Sequence, residues 1–117
     1  MVDVETEFFF ESWYVAGWSS DFEHSLIPLT ILGEQVVIFR TDKGVAVALE
    51  DACPHRKLPL SHGRLHADRV ECGYHGLTFD CSGRCVHAPT QQDSPPNVGV
   101  KSYPVQDRYG LLWIWMG

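Results

Sequence analysis

CPHRKLPLSHGRLHADRVECGYH, residues 53–75, opens with Cys-x-His and closes with Cys-x-x-His. Cys53, His55, Cys72 and His75 therefore offer two thiolates and two imidazoles in two mixed pairs. Cysteines set this close to histidines read first as a metal site. A structural zinc, a two-iron redox cluster and a chance pairing are the three candidates. Zinc accepts two cysteines and two histidines, but its usual arrangement gathers the cysteines on one knuckle and the histidines on a helix. Here each segment carries one of each, and a single residue separates Cys53 from His55, which is tight for both to grip one ion. A [2Fe–2S] centre with two cysteines on one iron and two histidines on the other explains the mixing better. Each segment then gives its Cys to one metal and its His to the other.

The rest of the chain bounds what such a site could serve. At 117 residues it suffices for one domain with one core, and no apolar run approaches the roughly 20 residues of a membrane helix. Nine Lys+Arg against fifteen Asp+Glu give a net charge of −6, which argues against nucleic acid and anionic membrane as partners. The start, MVDVETEFFFESW, is acidic where a signal peptide is basic, so a cytoplasmic location is expected.

Strand signals dominate. Trp13–Ala16, Leu26–Leu32, Gln35–Arg40 and Val45–Leu49 are apolar runs, with turns expected at Gly33-Glu34 and Asp42-Lys43-Gly44. Leu77–Phe79 and Val86-His87 flank a turn at Ser82-Gly83, and Val98–Val105 and Leu111–Trp115 complete the set. Thr90–Asn97, with Pro95-Pro96, reads as a loop. No long 3.6-residue periodicity is present. The expected fold is all-β, a compact antiparallel domain of several short strands with both Cys/His pairs on loops that converge. Residues 1–12 are expected to be an N-terminal segment and 13–117 the folded domain. The end, LLWIWMG, is an apolar strand without a polar tail, which suggests a chain that continues into a further domain.

C-P-H-R-x15-C-x-Y-H-G, followed by L-T-F-D, resembles the Rieske domain of Rieske non-haem iron oxygenases. WYVAGWSSD, PLSHG, FDCSGRC and KSYPVQDRYGLLWIWMG extend the likeness from Trp13 to Gly117. It is nearest to the monooxygenase and O-demethylase branch typified by vanillate demethylase. The resemblance implies a Rieske [2Fe–2S] cluster with Cys53 and Cys72 on one iron and His55 and His75 on the other. It also implies an N-terminal place in an oxygenase whose larger catalytic domain, absent here, holds a mononuclear non-haem Fe(II). That parent would hydroxylate an aromatic ring or remove a methyl group from an aromatic ether. Its electron donor would be a ferredoxin or flavin reductase, and its cluster would face the catalytic domain of a neighbouring subunit in a trimer. Respiratory Rieske proteins add a disulfide across the cluster. Leu58 and Gly73 occupy those positions here, which implies the low end of the Rieske range of roughly −150 to +300 mV. A free-standing Rieske ferredoxin and a zinc-stabilised binding module are the alternatives, the latter without redox function.

Other residues read more plainly. His62 and His66 are expected to be exposed loop histidines, and His87 a structural one. His24, His62, His66 and His87 form no convincing two-His-one-carboxylate motif, so no catalytic residue is assigned. Arg56 and Lys57 are either solvated charges or a lure for an acidic donor. Leu58, Pro59 and Leu60 read as an apolar lid or ordinary loop packing. Cys81 and Cys85, across a tight turn, are expected to be free thiols, and the abundant aromatics, four tryptophans among them, to fill the core.

Overall fold

The computed structural model describes residues 11–54, 58–73, 76–88 and 98–117. Among them, eleven strands form three antiparallel sheets, in agreement with the all-β expectation. The first sheet joins β1 (Ser12–Trp18), β11 (Leu111–Met116) and β10 (Val105–Arg108) in that order. The second runs β2 (Ile27–Ile31), β3 (Glu34–Arg40), β4 (Ala46–Glu50), β9 (Ser102–Tyr103). The third runs β5 (Arg64–His66), β6 (Arg69–Glu71), β7 (Thr78–Phe79), β8 (Cys85–His87).

The second sheet is the middle layer. Val36, Val37, Ile38 and Phe39 are all fully buried. Side chains alternate across a strand, so a continuous apolar run has both faces covered. Val37 and Phe39 pair across the ladder with Leu49 and Val47 and turn toward the third sheet, meeting Val70, Phe79 and Leu60. Val36, Ile38 and Ala48 turn the other way, to Leu112, Ile114, Met116 and Phe22. Pro28, which cannot donate to a ladder, is tolerated because β2 lies at the sheet edge.

β11 follows the same two-residue period. Leu112, Ile114 and Met116 are fully buried, which puts Trp113 and Trp115 on the outer face. Trp115 there meets Trp13 of β1 edge-to-face, with ring centroids 5.5 Å apart. Trp13 is 38% exposed and Trp18 64%. The expectation that the aromatics fill the core therefore fails for the tryptophans. Phe22, Phe39, Phe79 and Tyr103 supply the buried rings.

Turns set the registers. Leu32 and Gly33 both have positive φ, 51° and 79°, and link Ile31 to Glu34 as a two-residue hairpin loop, so the turn lies one residue earlier than expected. The run read as one strand from Val98 to Val105 is broken. Val100 N–H donates to Gly83 O at 2.8 Å, β9 spans two residues, and Pro104 precedes β10. Gly83 lies so near the Val100 carbonyl that no Cβ fits between them. β5 and β6, inside the Cys/His segment, form a hairpin that the sequence reading omitted. The expected loop at Thr90–Asn97 and the N-terminal segment up to residue 10 lie outside the described residues.

Arg40 joins the first two sheets. Its Nη2 and Nη1 reach Asp107 Oδ1 and Oδ2 at 2.8 and 2.9 Å, its Nε donates to Phe22 O and its Nη2 also to Ser19 O and Oγ. The guanidinium holds the Asp107 carboxyl at about 2, well below the usual carboxylate value, with the Ser19 hydroxyl assisting.

Candidate metal centre

Two loops rise from the third sheet and its junction with β4. The first starts after β4. Asp51 ends the strand's run by donating its N–H to Gln35 O at 3.0 Å, and Cys53 N–H then donates to Leu58 O at 2.7 Å. The second starts after β6, where Cys72 N–H donates to Leu77 O at 2.6 Å. Each loop is thus closed by the cysteine's own amide reaching the carbonyl five residues on. Neither cysteine is in a disulfide, and both are buried, 2% and 1% exposed, in one cluster of side chains with Leu60, Val70 and Phe79.

The loops touch through backbone. After the first, a 3-10 turn (Leu60–His62) leads to Gly63. Gly63 sits so close to the Glu71 carbonyl that a Cβ there would overlap it. Gly73, the residue after Cys72, approaches His62 O, which would stand 3.2 Å from a Cβ on Gly73. Asp51, only 4% exposed, accepts Ser61 N–H on Oδ1 and the Ser61 hydroxyl on Oδ2, both at 2.7 Å. A cleft of about 210 Å³ lined by Glu50, Ala52, Cys53, Pro54 and Gly99 opens beside the first cysteine.

The structure brings Cys53 and Cys72 into one apolar environment. His55 and His75, with Arg56 and Lys57, lie outside the described residues. The lid expected at 58–60 is divided, since Leu60 is fully buried under the loop while Leu58 is exposed. His62 is exposed, and His66 is exposed and paired with Glu71 Oε1 at 2.9 Å. His24 donates from Nδ1 to Arg40 O, and His87 is exposed at the end of β8. Cys81 and Cys85 are both free. Cys81 Sγ donates to Asp68 O, and burial, with Asp68 and Asp80 nearby, pushes its thiol up. Among the described residues, no group of three or more His, Cys, Asp and Glu side chains could hold a metal ion. The sequence reading missed Asp51. The signal for Asp51 was a carboxylate two residues before a Cys/His pair.

A pair of buried cysteines outside any disulfide, each in a segment that includes a histidine in the sequence, suits a cluster that takes one Cys and one His from each loop. Comparison with known proteins identifies the family. The Rieske [2Fe-2S] domain family matches residues 12–104. The putative toluene-4-sulfonate monooxygenase system iron-sulfur subunit of Comamonas testosteroni is 49% identical over 106 residues, 91% of this chain and 31% of that protein. A vanillate O-demethylase oxygenase subunit from Pseudomonas is 39% identical over 108 residues, 91% of this chain and 30% of that protein. The crystal structure of apo dicamba monooxygenase superposes with a TM-score of 0.87 at 42% identity, over 92% of this chain and 34% of that one. A reduced complex between oxygenase and ferredoxin in carbazole 1,9a-dioxygenase matches with a TM-score of 0.85 at 29% identity, over 93% of this chain and 29% of that one. The chain therefore spans about a third of the length of the relatives it matches.

Proposed function

Because the chain belongs to the family of Rieske [2Fe-2S] domains, we propose that Cys53 and Cys72 hold one iron of its cluster and His55 and His75 the other. The domain then serves as the electron-input part of an aromatic ring-hydroxylating or O-demethylating oxygenase. The paired loops carry this reading, with two buried cysteines closed in the same way. When bound, such a cluster supplies one-electron transfer.

The chain's own residues do the rest. Cys53 and Cys72 sit on a floor of Leu60, Val70 and Phe79 that excludes water from the thiolate side. Leu58 and Gly73 leave no cysteine to bridge the loops, which supports a potential near roughly −150 mV, the low end of the Rieske range. Residues 1–12 are the N-terminal segment and 13–117 the cluster domain. Substrate meets a mononuclear iron in a catalytic domain outside this chain, that of a neighbouring subunit in a trimer. A ferredoxin or flavin reductase delivers the electrons, in the cytoplasm.

The test is electron acceptance. The reconstituted chain, mixed under argon with NADH, a ferredoxin reductase and a ferredoxin, should lose its visible absorbance as the cluster is reduced. Absorbance that stays unchanged with the relay yet falls on adding dithionite would remove the ferredoxin from the proposal.

A further inference from the structure

The Asp51 carboxylate is nearly fully buried and has no ion-pair partner among the described residues. Burying a carboxylate is costly unless its oxygens are hydrogen-bonded, and here both are committed to one residue. Oδ1 takes Ser61 N–H and Oδ2 takes Ser61 Oγ–H, each at 2.7 Å. Residues 51 and 61 stand on either side of the first loop, outside the Cys53–Leu58 hydrogen bond. The carboxylate therefore ties the two ends of the loop's base together. Its own amide is anchored to β3 through Gln35 O.

The connection continues. Two residues past Ser61, Gly63 lies against the Glu71 carbonyl, and His62 O faces Gly73. Glu71 and Gly73 are the immediate neighbours of Cys72. One path of contacts thus runs from β3 through the Asp51 carboxylate and Ser61 to the base of the second loop. We propose that Asp51 is a positioning residue that sets both cysteine loops at one spacing, through Ser61 on the first loop and Gly63 on the second. This rests on the Rieske reading above. It concerns the hydrogen bonds of the carboxylate and assigns Asp51 no contact with the metal.

The experiment compares the reconstituted chain with its Asp51→Ala and Asp51→Asn variants, and with Ile114→Val in the other core as a control of lowered stability. Iron release to a chelator and the EPR line shape of the reduced protein are read. Asn keeps an oxygen for Ser61 N–H and can donate to the hydroxyl. Asp51→Ala should release iron about tenfold faster and broaden the spectrum, with Asp51→Asn within about twofold of the parent. Ile114→Val should leave the line shape unchanged. An Asp51→Ala variant with the parent's release rate and line shape would overturn the proposal. So would an Asn variant as impaired as Ala, because charge and not positioning would then be responsible. Should Asp51→Ala fail to fold, Ser61→Ala removes only the hydroxyl bond. An intermediate release rate supports the proposal and a parental rate overturns it. A parent chain that takes up no two-iron cluster would instead sink the Rieske reading, and this one with it.

Discussion

Cys53 and Cys72 are held in the same way, each amide N–H donating to the carbonyl five residues on, Leu58 at 2.7 Å and Leu77 at 2.6 Å. One loop leaves β4 and the other leaves β6, strands of different sheets, so the likeness is not a product of shared scaffold. Two loops of one construction, with both cysteines buried in one cluster of apolar side chains, form a paired clamp.

Substituting either cysteine should abolish the cluster. Cys53→Ser or Cys72→Ser leaves one thiolate where a Rieske iron needs two. Iron and sulfide per chain should fall to near zero. Cys81→Ser, whose thiol donates to Asp68 O outside the paired loops, should keep its full complement.

Gly63→Ala should damage the fold and the site together. The new methyl has no space beside the Glu71 carbonyl, and the obstacle is backbone, which cannot swing aside. Overpacking of this kind costs about 1–3 kcal/mol. Urea unfolding of the variant should show that loss, and reconstitution should yield less iron. Gly44→Ala makes a useful contrast, since nothing crowds a Cβ there and only its positive φ of 84° opposes the change.

Inner and outer faces of the first sheet should respond differently. Ile114→Ala empties a fully buried position and should cost about 2–5 kcal/mol. Trp13→Ala removes a larger side chain from the outer face, where it loses the 5.5 Å edge contact with Trp115, and should cost about 1 kcal/mol. Thermal denaturation of the two variants should rank them in that order, although the tryptophan is the bigger residue.

Acid should weaken the joint between the first two sheets. Asp107 titrates at about 2 in the folded chain against 3.8 ordinarily, so it binds a proton more readily when unfolded. Its stabilising effect is complete above the ordinary value and disappears as pH falls from about 4 through about 2. The side chain is 44% exposed, so solvent screening reduces the contribution to on the order of 1 kcal/mol. Urea midpoints at pH 6 and pH 2.5 should converge between the parent and Asp107→Asn, with the gap larger at pH 6.

Much of this could be seen in the sequence because it depended on short-range pattern. Val36–Phe39 announces a strand buried on both faces, and LLWIWM alternates as a strand with one face inside. The Cys53/His55 and Cys72/His75 pairs stand out by spacing alone. The tryptophans were misplaced because size and apolarity suggest burial, whereas strand alternation decides the face. The β5–β6 hairpin went unseen because RLHADRVE carries more charge than β-branching, and its turn places Ala67, an unusual residue for a φ of 55°, at the first loop position. Arg40 with Asp107, and Asp51 with Ser61, are contacts between segments whose pairing only the folded chain reveals. The Arg40–Asp107 pair is 67 residues apart.

The most direct measurement is electron spin-echo envelope modulation on the dithionite-reduced chain, with ¹⁵N-histidine incorporated, alongside iron and sulfide analysis. The account predicts two irons and two sulfides per chain, a rhombic signal with its average g below the free-electron value, and coupling to two histidine nitrogens that is lost singly in His55→Ala and His75→Ala. A signal without nitrogen coupling would mean a cluster held by cysteines alone, and a colourless chain binding one zinc would mean a structural metal site. Either result would contradict the assignment of Cys53, His55, Cys72 and His75 to a Rieske centre.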